Sequence, residues 1–476
     1  MIEKRKIKLL KISDKFFNNK AVATIRAFTE SSVYPVVVGA VAFLCYVLSL
    51  PLLAVILFSL ALAFTYAFSE DTRAALAPAL LVFLTLQYKR DEAAYLTPFA
   101  IVIYVIFGII AVSAVIFHFI YYKLDLTPKK LLLGLILMCV TFFTGGIFSG
   151  YYRVYNLLNG FAMTGMFCGA YILFGFTMRH REDNFLYIAR LCTVAVVVIS
   201  LEVFEFYIRE YKGGALTAYW KGLIVLGWGI SNLVGEMIAT LLPAVFYLIY
   251  REKRGYLYYI VVLIAGVALF LTLGRNALLF GGIVIFLGCV FNAVKGKNSK
   301  INLTIALSML GVMCLVLLIM LITGKTTALF AFFRTAKWSD RGRFDCWRKF
   351  MKLFAQDPVF GAGIMKYRIL YPDSYEMNTH NTLLQMLSNS GLIGLALYGF
   401  HRVQTVFMVL KKPNRDIIFV GSCMIVGLAM SLLSPLFFRM YFAIFYSIFL
   451  MLIEKATQAK TEKDQAFNET ITTNEA

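Results

Sequence analysis

The chain has 476 residues, of which 60% are hydrophobic and 15% are charged, whereas soluble globular proteins usually contain about 45–50% apolar and about 25% charged residues. This composition excludes a soluble domain as the main architecture. The net charge of +20 would suggest nucleic-acid binding in a soluble protein. Here the basic residues lie mainly at the ends of apolar runs, where they orient spans and contact anionic lipid, so we expect no nucleic-acid partner.

The chain begins with a polar segment, and we predict a basic cytoplasmic tail over residues 1–30. After it, apolar runs recur that approach the roughly 20 residues needed to cross a bilayer. Candidate spans lie at about 33–49, 52–68, 74–88, 97–120, 131–150, 157–177, 187–206, 222–250, 256–273, 276–294, 302–323, 383–409, 417–434 and 438–454. The sequence therefore predicts an all-α polytopic integral membrane protein with about 12–14 transmembrane helices, in a bundle over 31–323 followed by C-terminal helices over 383–454.

Alternate loops between these spans carry most of the Lys and Arg residues, as the positive-inside rule expects of cytoplasmic loops. The basic residues on this side are Lys4, Arg5, Lys6, Lys8, Lys123, Lys129, Lys130, Arg179, Arg181, Arg251, Lys253, Arg254, Lys295, Lys297, Lys300, Lys411, Lys412 and Arg415. We assign this side as cytoplasm. Lys89 and Arg90 fall on the opposite side, beside two acidic residues, and make the bias ambiguous at that point.

The opposite face holds one sizeable polar segment, a predicted extracytoplasmic loop over residues 324–382. Within it, FDCWRKFMKLFA at 344–355 has aromatic residues at helical spacing, which predicts a short interfacial amphipathic helix. The stripe consists of Phe344, Trp347, Phe350, Met351 and Phe354. After the last span, a polar stretch without an apolar period predicts a disordered cytoplasmic tail over 455–476.

The charge of the large loop is unusual for an extracytoplasmic segment. Residues 324–380 carry ten basic and five acidic residues, so an anionic partner should compensate them, either lipid headgroups or a substrate phosphate. Arg275, in LTLGRNALL, joins two apolar spans at the same face. An Arg close to membrane depth is costly unless it is partnered, so it is a candidate site residue, or else a helix-end Arg that extends to the interface.

Several familiar motifs are absent. The sequence has no complete Walker loop, no HExxH, no GxSxG and no His or Cys cluster with metal-ligand spacing, so an ATPase, a zinc protease or a serine hydrolase is not expected. Seven of the eight cysteines lie inside apolar runs, which favours a structural role and no disulfide. Among four histidines, His380 lies where the large loop re-enters the membrane. It is either an interfacial or capping residue or a catalytic base.

Two segments around these residues resemble the O-antigen ligase and Wzy-type polysaccharide polymerase superfamily. HNTLLQMLSNSGLIGL matches the family pattern of His-Asn, a leucine-rich helix and Gly-Leu-Ile-Gly. RGRFDCWRKFMKLFAQDPVFGAGIMKY is similar to the family segment in which an Arg precedes an aromatic helix, a Pro and Gly-x-Gly. The matching residues are His380, Asn381, Gly391, Gly394, Arg343, Trp347, Pro358, Gly361 and Gly363.

Two further segments carry the same resemblance. GRNALL retains the family Arg as Arg275, although Gly274 stands where the family usually has Ser. GWGISNLVGEMIATLLP matches an Asn-containing span that ends at a Pro, here Asn232 and Pro243, but the residue before the Asn departs from the family form. The resemblance covers roughly the C-terminal half of the chain.

This resemblance implies a GT-C-like membrane glycosyltransferase with an undecaprenyl-diphosphate-linked oligosaccharide as donor and no metal or other cofactor. It implies that His380 is the general base and that Arg275 and Arg343 bind the diphosphate. Arg209 and Arg341 are further candidates by position, and Asn381 and Asn232 are supporting residues. The expected location is the bacterial inner membrane, with the active site in the extracytoplasmic loop, in contact with membrane lipids and a chain-length regulator protein.

The resemblance leaves the acceptor open. A polymerase would transfer the glycan onto another lipid-linked repeat unit, and a ligase would transfer it to a lipid A core or a different acceptor. We favour the polymerase because ligases occur in fewer envelope systems. A transporter or flippase of lipid-linked sugars or a small anion is the alternative of a different class, and it would use buried acids such as Glu202, Glu205 and Glu236.

Overall fold

The computed structural model describes residues 19–87, 92–127, 129–211, 218–323, 341–371, 379–411 and 413–474. Within these ranges the chain is helical between its turns, and the antiparallel bridge found there is an isolated one that joins Val225 to Ile230. The predicted all-α class is therefore confirmed. Lys89, Arg90 and much of the predicted large loop lie outside the described residues.

The helices of the first half begin at short loops, and three of them have a Pro in the first turn, where its missing N–H costs no helical hydrogen bond. In chain order they are α1 (Lys20–Thr29), α2 (Tyr34–Val47), α3 (Pro51–Phe68), α4 (Leu76–Leu81), α5 (Glu92–Tyr95), α6 (Pro98–Tyr121), α7 (Lys130–Thr144), α8 (Val154–Thr164), α9 (Ala170–Thr177) and α10 (Asn184–Glu210). A π-helical turn over Gly165–Gly169 joins α8 to α9.

The second half contains the core helix and the predicted site segments. Its helices are α11 (Ala218–Leu223), α12 (Ser231–Arg251), α13 (Tyr259–Leu271), α14 (Arg275–Lys295), α15 (Ser299–Ile322), α16 (Arg341–Gln356), α17 (Gly363–Leu370), α18 (Thr382–Lys411), α19 (Arg415–Met430) and α20 (Met440–Asn474). The apolar window of α12 is entirely buried, whereas α14 and α15 expose most of theirs. Thus α12 lies at the centre of the bundle.

Nine of the described helices are long and apolar enough to cross a membrane, and the bent pair α1 and α2 would give a tenth. Shorter apolar helical segments follow at Thr72–Thr85, Lys130–Thr144 and Gly255–Leu271. The protein is therefore a polytopic integral membrane protein. Exposed leucines, isoleucines and phenylalanines cover the outer helices, as expected of a surface whose solvent is lipid.

Ion pairs hold the predicted cytoplasmic loops together at one end of the bundle. The Asp125 carboxylate accepts a hydrogen bond from the Lys455 amine and lies 3.2 Å from that of Lys129. Arg179 pairs with Glu70 at 2.6 Å, and further pairs at this end are Arg73 with Asp183, Arg181 with Asp71 and Arg190 with Glu252. The loops that carry the predicted site residues lie at the opposite end, which agrees with the predicted alternation of loops.

Three predicted segments differ from the structure. The span predicted at 222–250 is interrupted, because α11 ends at Leu223 and residues 224–230 form a tight reverse turn in which Gly227 has φ +88°, before α12 begins at Ser231. The span at 74–88 is a short helix, α4, flanked by 3-10 turns. The tail predicted to be disordered over 455–476 continues α20 as far as Asn474, since its Ala, Gln, Lys and Glu residues are good helix formers.

A junction of glycines fixes the start of α18 against two neighbouring segments. Gly361 and Gly391 both have positive φ, and a Cβ on either would lie 2.5 Å or less from backbone atoms of the facing segment. The N–H of Ala362 donates to the carbonyl of Ser388 at 2.7 Å, and the N–H of Leu392 donates to that of Pro358 at 2.9 Å. Gly391 also kinks α18. The glycines of both family motifs therefore permit close backbone approach.

We expect Gly391→Ala to lower the free energy of unfolding by about 1–3 kcal/mol, because the new Cβ meets the carbonyl of Val359 and the backbone has φ +67°. Thermal unfolding of the purified protein in detergent micelles measures this. Gly399→Ala is the matched control, since it lies in the same helix with no atom within 4 Å of the new Cβ. Equal melting temperatures for the two variants would contradict the proposed role of the junction.

Candidate functional site

The turn before α14 presents Arg275, and the first turns of α12 hold this turn in place. The Ser231 hydroxyl donates to the Thr272 carbonyl at 2.6 Å. Gly235 leaves no room for a side chain, because a Cβ there would lie 2.6 Å from the Cβ of Ala277. Leu273, two residues before Arg275, has φ +54°, a conformation that costs a non-Gly residue free energy. Arg275 thus projects from a strained turn packed on the central helix.

A buried carboxylate links this turn to a distant part of the chain. Glu236, on α12, is 1% exposed. It accepts hydrogen bonds from the Asn276 amide at 3.0 Å and from the Ser434 hydroxyl at 2.8 Å. The same amide also donates to the Met430 carbonyl at 3.1 Å. Since a buried carboxylate needs donors and nearby positive charge, this residue organises the end of the bundle that contains Arg275.

Basic side chains lie near enough to Glu236 and Lys221 to act on them electrostatically. Arg439 and Arg343 act electrostatically on its carboxylate, and Arg275 and Arg343 act on the amine of Lys221. We call the four basic residues Lys221, Arg275, Arg343 and Arg439 the cationic cluster. Burial, and then the guanidinium groups of Arg275 and Arg343, lower the pKa of Lys221 from 10.5 to about 8, while Glu236 acts in the opposite direction. The structure therefore brings together Arg275 and Arg343, which are far apart in the sequence.

His380 lies in a short turn whose backbone is held on both sides. It has φ +53°, a left-handed conformation that is uncommon outside glycine, although His adopts it more often than most residues, and that costs some local strain. The N–H of Thr379 donates to Gln385 at 2.9 Å, and the Trp347 indole donates to the Thr379 carbonyl at 2.5 Å. Asn381 accepts a hydrogen bond from the Leu384 N–H at 3.0 Å and thereby caps α18.

The His380 turn and the cationic cluster are attached to the same connection, between α19 and α20. The N–H of Thr382 donates to the Ser431 carbonyl at 2.9 Å. Three residues later, Ser434 donates to Glu236, and Arg439 closes the connection. The predicted base and the predicted diphosphate ligands therefore lie at the same end of the bundle, on a common framework.

Helix α16 packs on protein rather than lying wholly in a lipid interface. Phe350 is buried and stacks on Tyr367 with ring centroids 4.1 Å apart, next to buried Cys346 and Leu353. The prediction of a lipid-facing aromatic stripe is wrong for this residue. Phe344 and Met351 remain exposed. The helix supports the His380 turn through Trp347 and places Arg343, in its first turn, in the cationic cluster.

The other predicted site residues have different environments. Arg209 forms ion pairs with Glu205 at 2.8 Å and Glu210 at 3.0 Å on its own helix, so its charge is locally compensated. Asn232 lies beside Gly274, where a Cβ would be 3.6 Å from its amide oxygen. Arg341 begins α16, but its side chain lies outside the described residues. Their roles in binding remain predictions.

Sequence reasoning missed Lys221 and Arg439. Lys221 stands at the start of an apolar run and Arg439 between two such runs, the ordinary positions of basic residues that flank membrane spans. The available signal was their location on the predicted extracytoplasmic side, where the positive-inside rule does not expect them. Among the described residues, no three His, Cys, Asp or Glu side chains are grouped so that they could hold a metal ion.

Residues 260–399 match the family model described as O-antigen ligase. The matched segment is similar to this family. The match confirms the resemblance found in the motifs and includes Arg275, Arg343 and His380, whereas Lys221, Glu236 and Arg439 lie outside it. It covers less than a third of the chain. Comparison with curated proteins found no match. The match supports a ligase or polymerase type of membrane enzyme that acts on lipid-linked glycans.

The lowered pKa of Lys221 predicts a distinctive pH dependence of its reactivity. Acetylation requires the neutral amine, so the rate at Lys221 should rise with pH around a midpoint near 8 rather than near the usual value of about 10.4. Arg275→Gln removes a neighbouring positive charge and should move the midpoint upward. Peptide mass spectrometry after timed exposure to acetic anhydride at several pH values measures both.

Arg348→Gln is the control for this experiment, because Arg348 is exposed on α16 and pairs with Asp345. It should leave the midpoint of Lys221 unchanged. A wild-type midpoint near 10 would mean that Lys221 is solvated and that the cationic cluster does not form.

Proposed function

We propose that this protein is a GT-C-type, metal-independent glycosyltransferase of the polymerase kind. It transfers an undecaprenyl-diphosphate-linked glycan en bloc onto another lipid-linked repeat unit, at the outer face of the bacterial inner membrane. The observation that carries the proposal is the cationic cluster, in which Arg439, Arg343 and Lys221 interact electrostatically with buried Glu236 and Arg275 interacts with Lys221. It lies at the same end of the bundle as His380. Arg275, Arg343 and His380 all lie in the segment that matches the O-antigen ligase family model.

The charge of the cluster suits a diphosphate. Four cations and the single carboxylate of Glu236 leave an excess of positive charge when Lys221 is protonated. A guanidinium offers a planar pair of N–H donors that match phosphate oxygens, so Arg275 and Arg343 are the proposed diphosphate ligands. Lys221 and Arg439 add positive charge. As the bond between the anomeric carbon and the phosphate oxygen breaks, these groups stabilise the negative charge that develops on the departing diphosphate.

His380 is the proposed general base. A neutral imidazole accepts the proton of the acceptor hydroxyl, whose oxygen then bonds to the anomeric carbon while undecaprenyl diphosphate departs. Histidine is the side chain that most often serves as a general base. The strained turn and the hydrogen bonds of Thr379 and Asn381 support the orientation of His380.

The buried acids that a transporter would need form hydrogen bonds or ion pairs within the protein. Glu202 accepts a hydrogen bond from the Trp228 indole at 2.7 Å, and Glu205 pairs with Arg209. Glu236 is held by Asn276 and Ser434. These fixed partners favour group transfer over transport. The choice between polymerase and ligase depends on the acceptor, which the following experiment varies.

We expect wild-type protein reconstituted in vesicles with its lipid-linked repeat unit alone, in the presence of chelator, to form a ladder of longer glycans. His380→Ala should slow the reaction by about 10²–10⁴-fold, the usual contribution of general base catalysis. Gel separation of the products measures chain length and amount. His180→Ala is the control, because this exposed histidine lies at the other end of the bundle and should keep full activity.

Two outcomes would change the assignment. Undiminished polymer from His380→Ala at equal protein level would remove His380 as the base. A product that forms only after a second acceptor is added would identify a ligase instead.

The proposed orientation can be tested by labelling. Asp345 is exposed on α16, and Lys300 is exposed at the opposite end of the bundle. In a Cys314→Ala background, which removes the exposed native thiol, an impermeant maleimide should label Asp345→Cys in intact spheroplasts. Lys300→Cys should react only after permeabilisation. The reverse pattern would place the cationic cluster in the cytoplasm and exclude a periplasmic-face enzyme.

A further inference from the structure

A polar cavity of about 260 Å³ lies against the first turns of α18, the helix that follows His380. Its walls come from α8, α17, α18 and the connection between α19 and α20. Four amide side chains line it, namely Asn156, Asn159, Gln385 and Asn389. Neither the O-antigen ligase match nor the sequence motifs give these side chains a function.

The cavity is directly connected to the His380 turn. Gln385 contributes to its wall and at the same time accepts the hydrogen bond of the Thr379 N–H at 2.9 Å. Thr379 is the residue before His380. A group bound in the cavity would therefore lie next to the turn that carries the proposed base, and the cavity shares Arg439 with the cationic cluster.

The lining matches the chemistry of a sugar ring. Amide side chains both donate and accept hydrogen bonds, as ring hydroxyls require, and Tyr155 and Phe438 supply aromatic surface on which the apolar face of a sugar can pack. Pockets for drug-sized ligands usually have volumes of about 300–1,000 Å³. A cavity slightly below that range has room for one ring rather than for an oligosaccharide.

The positive charge of the cavity lining indicates that the ligand carries an anionic group. Arg368 and Arg439 both line the cavity, and no acidic residue does so in the part of the chain that the structure describes. The Nε of Arg439 is buried and has no hydrogen-bond partner there, a state that costs free energy until a ligand supplies an acceptor. Guanidinium groups preferentially bind carboxylate and phosphate.

We infer that this cavity binds a single sugar ring with an anionic substituent, a carboxylate or a phosphate, on the substrate that supplies the attacking hydroxyl. The inference rests on the proposed function for the identity of that substrate. Arg368 binds the substituent, the amides bind ring hydroxyls, and Arg439 belongs both to the cavity wall and to the cationic cluster.

The test uses full-length protein in detergent micelles and four soluble probes: glucuronic acid, glucose 6-phosphate, glucose and inorganic phosphate. Saturation-transfer NMR reports which probes contact the protein. We expect both acidic sugars to bind, glucose to bind about tenfold more weakly, and inorganic phosphate not to displace glucuronic acid. Arg368→Gln and Asn159→Leu should each weaken binding of the acidic sugars about tenfold or more.

Arg348→Gln is the matched control, because it removes an exposed Arg on α16 that does not line the cavity. It should leave binding unchanged, and thermal unfolding should verify that all variants are folded. Equal binding of glucose and the acidic sugars would overturn the anionic requirement. Displacement of glucuronic acid by inorganic phosphate would assign the cavity to phosphate alone, and no binding by any probe would reject the site.

This readout does not depend on glycosyl transfer. His380→Ala should retain probe binding, since His380 does not line the cavity. If His380→Ala kept full polymerisation while Arg368→Gln lost probe binding, the proposed function would fail and the sugar site would stand. If His380→Ala abolished polymerisation and no probe bound, the sugar site alone would fail.

Discussion

The end of the bundle that contains the candidate site depends on the burial of one carboxylate. Glu236 lies on the central helix α12, away from water, and an isolated charge there would be prohibitively costly. Its stabilisation requires the Asn276 amide, the Ser434 hydroxyl and nearby cations. These groups come from three separate parts of the chain. Satisfying one buried charge therefore fixes the turn of Arg275 and the connection between α19 and α20 relative to each other.

Close backbone packing fixes the position of the His380 turn. The segment around Gly361 lies against the first part of α18 so closely that no Cβ fits at Gly361 or Gly391. The hydrogen bonds of Thr379 and Thr382 then hold the turn in a conformation with positive φ. Strain of this kind persists only when the surroundings over-determine it. Electrostatic contacts thus hold the part of the site around Glu236, and main-chain contacts hold the His380 turn. Both parts form hydrogen bonds to the segment 431–434.

Much of this arrangement could be predicted from the sequence, because hydropathy and loop charge report directly on the bilayer. The apolar runs and the alternation of basic loops agree with the structure, and three of the four family motifs lie in the matched residues 260–399. Hydropathy failed at 222–230, where an apolar run turns back on itself because Gly227 packs against the backbone of Gln87. That contact is tertiary and leaves no local signal. Hydropathy also failed for the tail over 455–476, which has no apolar period but has a composition that favours a helix.

The site was harder to predict than the spans. Arg275 and His380 stand out because each is unusual for its place in the chain. Lys221 and Arg439 resemble ordinary flanking residues, and only the folded structure places them beside the others. Phe350 was expected to contact lipid, since a stripe at helical spacing does not reveal whether protein or bilayer covers it. The burial of that ring against Tyr367 depends on α17, whose position the stripe does not encode.

The lowered pKa of Lys221 gives the cluster a charge that can change with its surroundings. Burial, and then the neighbouring guanidinium groups, disfavour the ammonium form, so the amine loses its proton more readily than a solvated lysine does. An entering polyanion reverses that balance and favours proton uptake by the same amine. The positive charge of the cluster would then follow its occupancy, and departure of the anion would return the proton. Near pH 8, ligand exchange at this site would be accompanied by a measurable flux of protons.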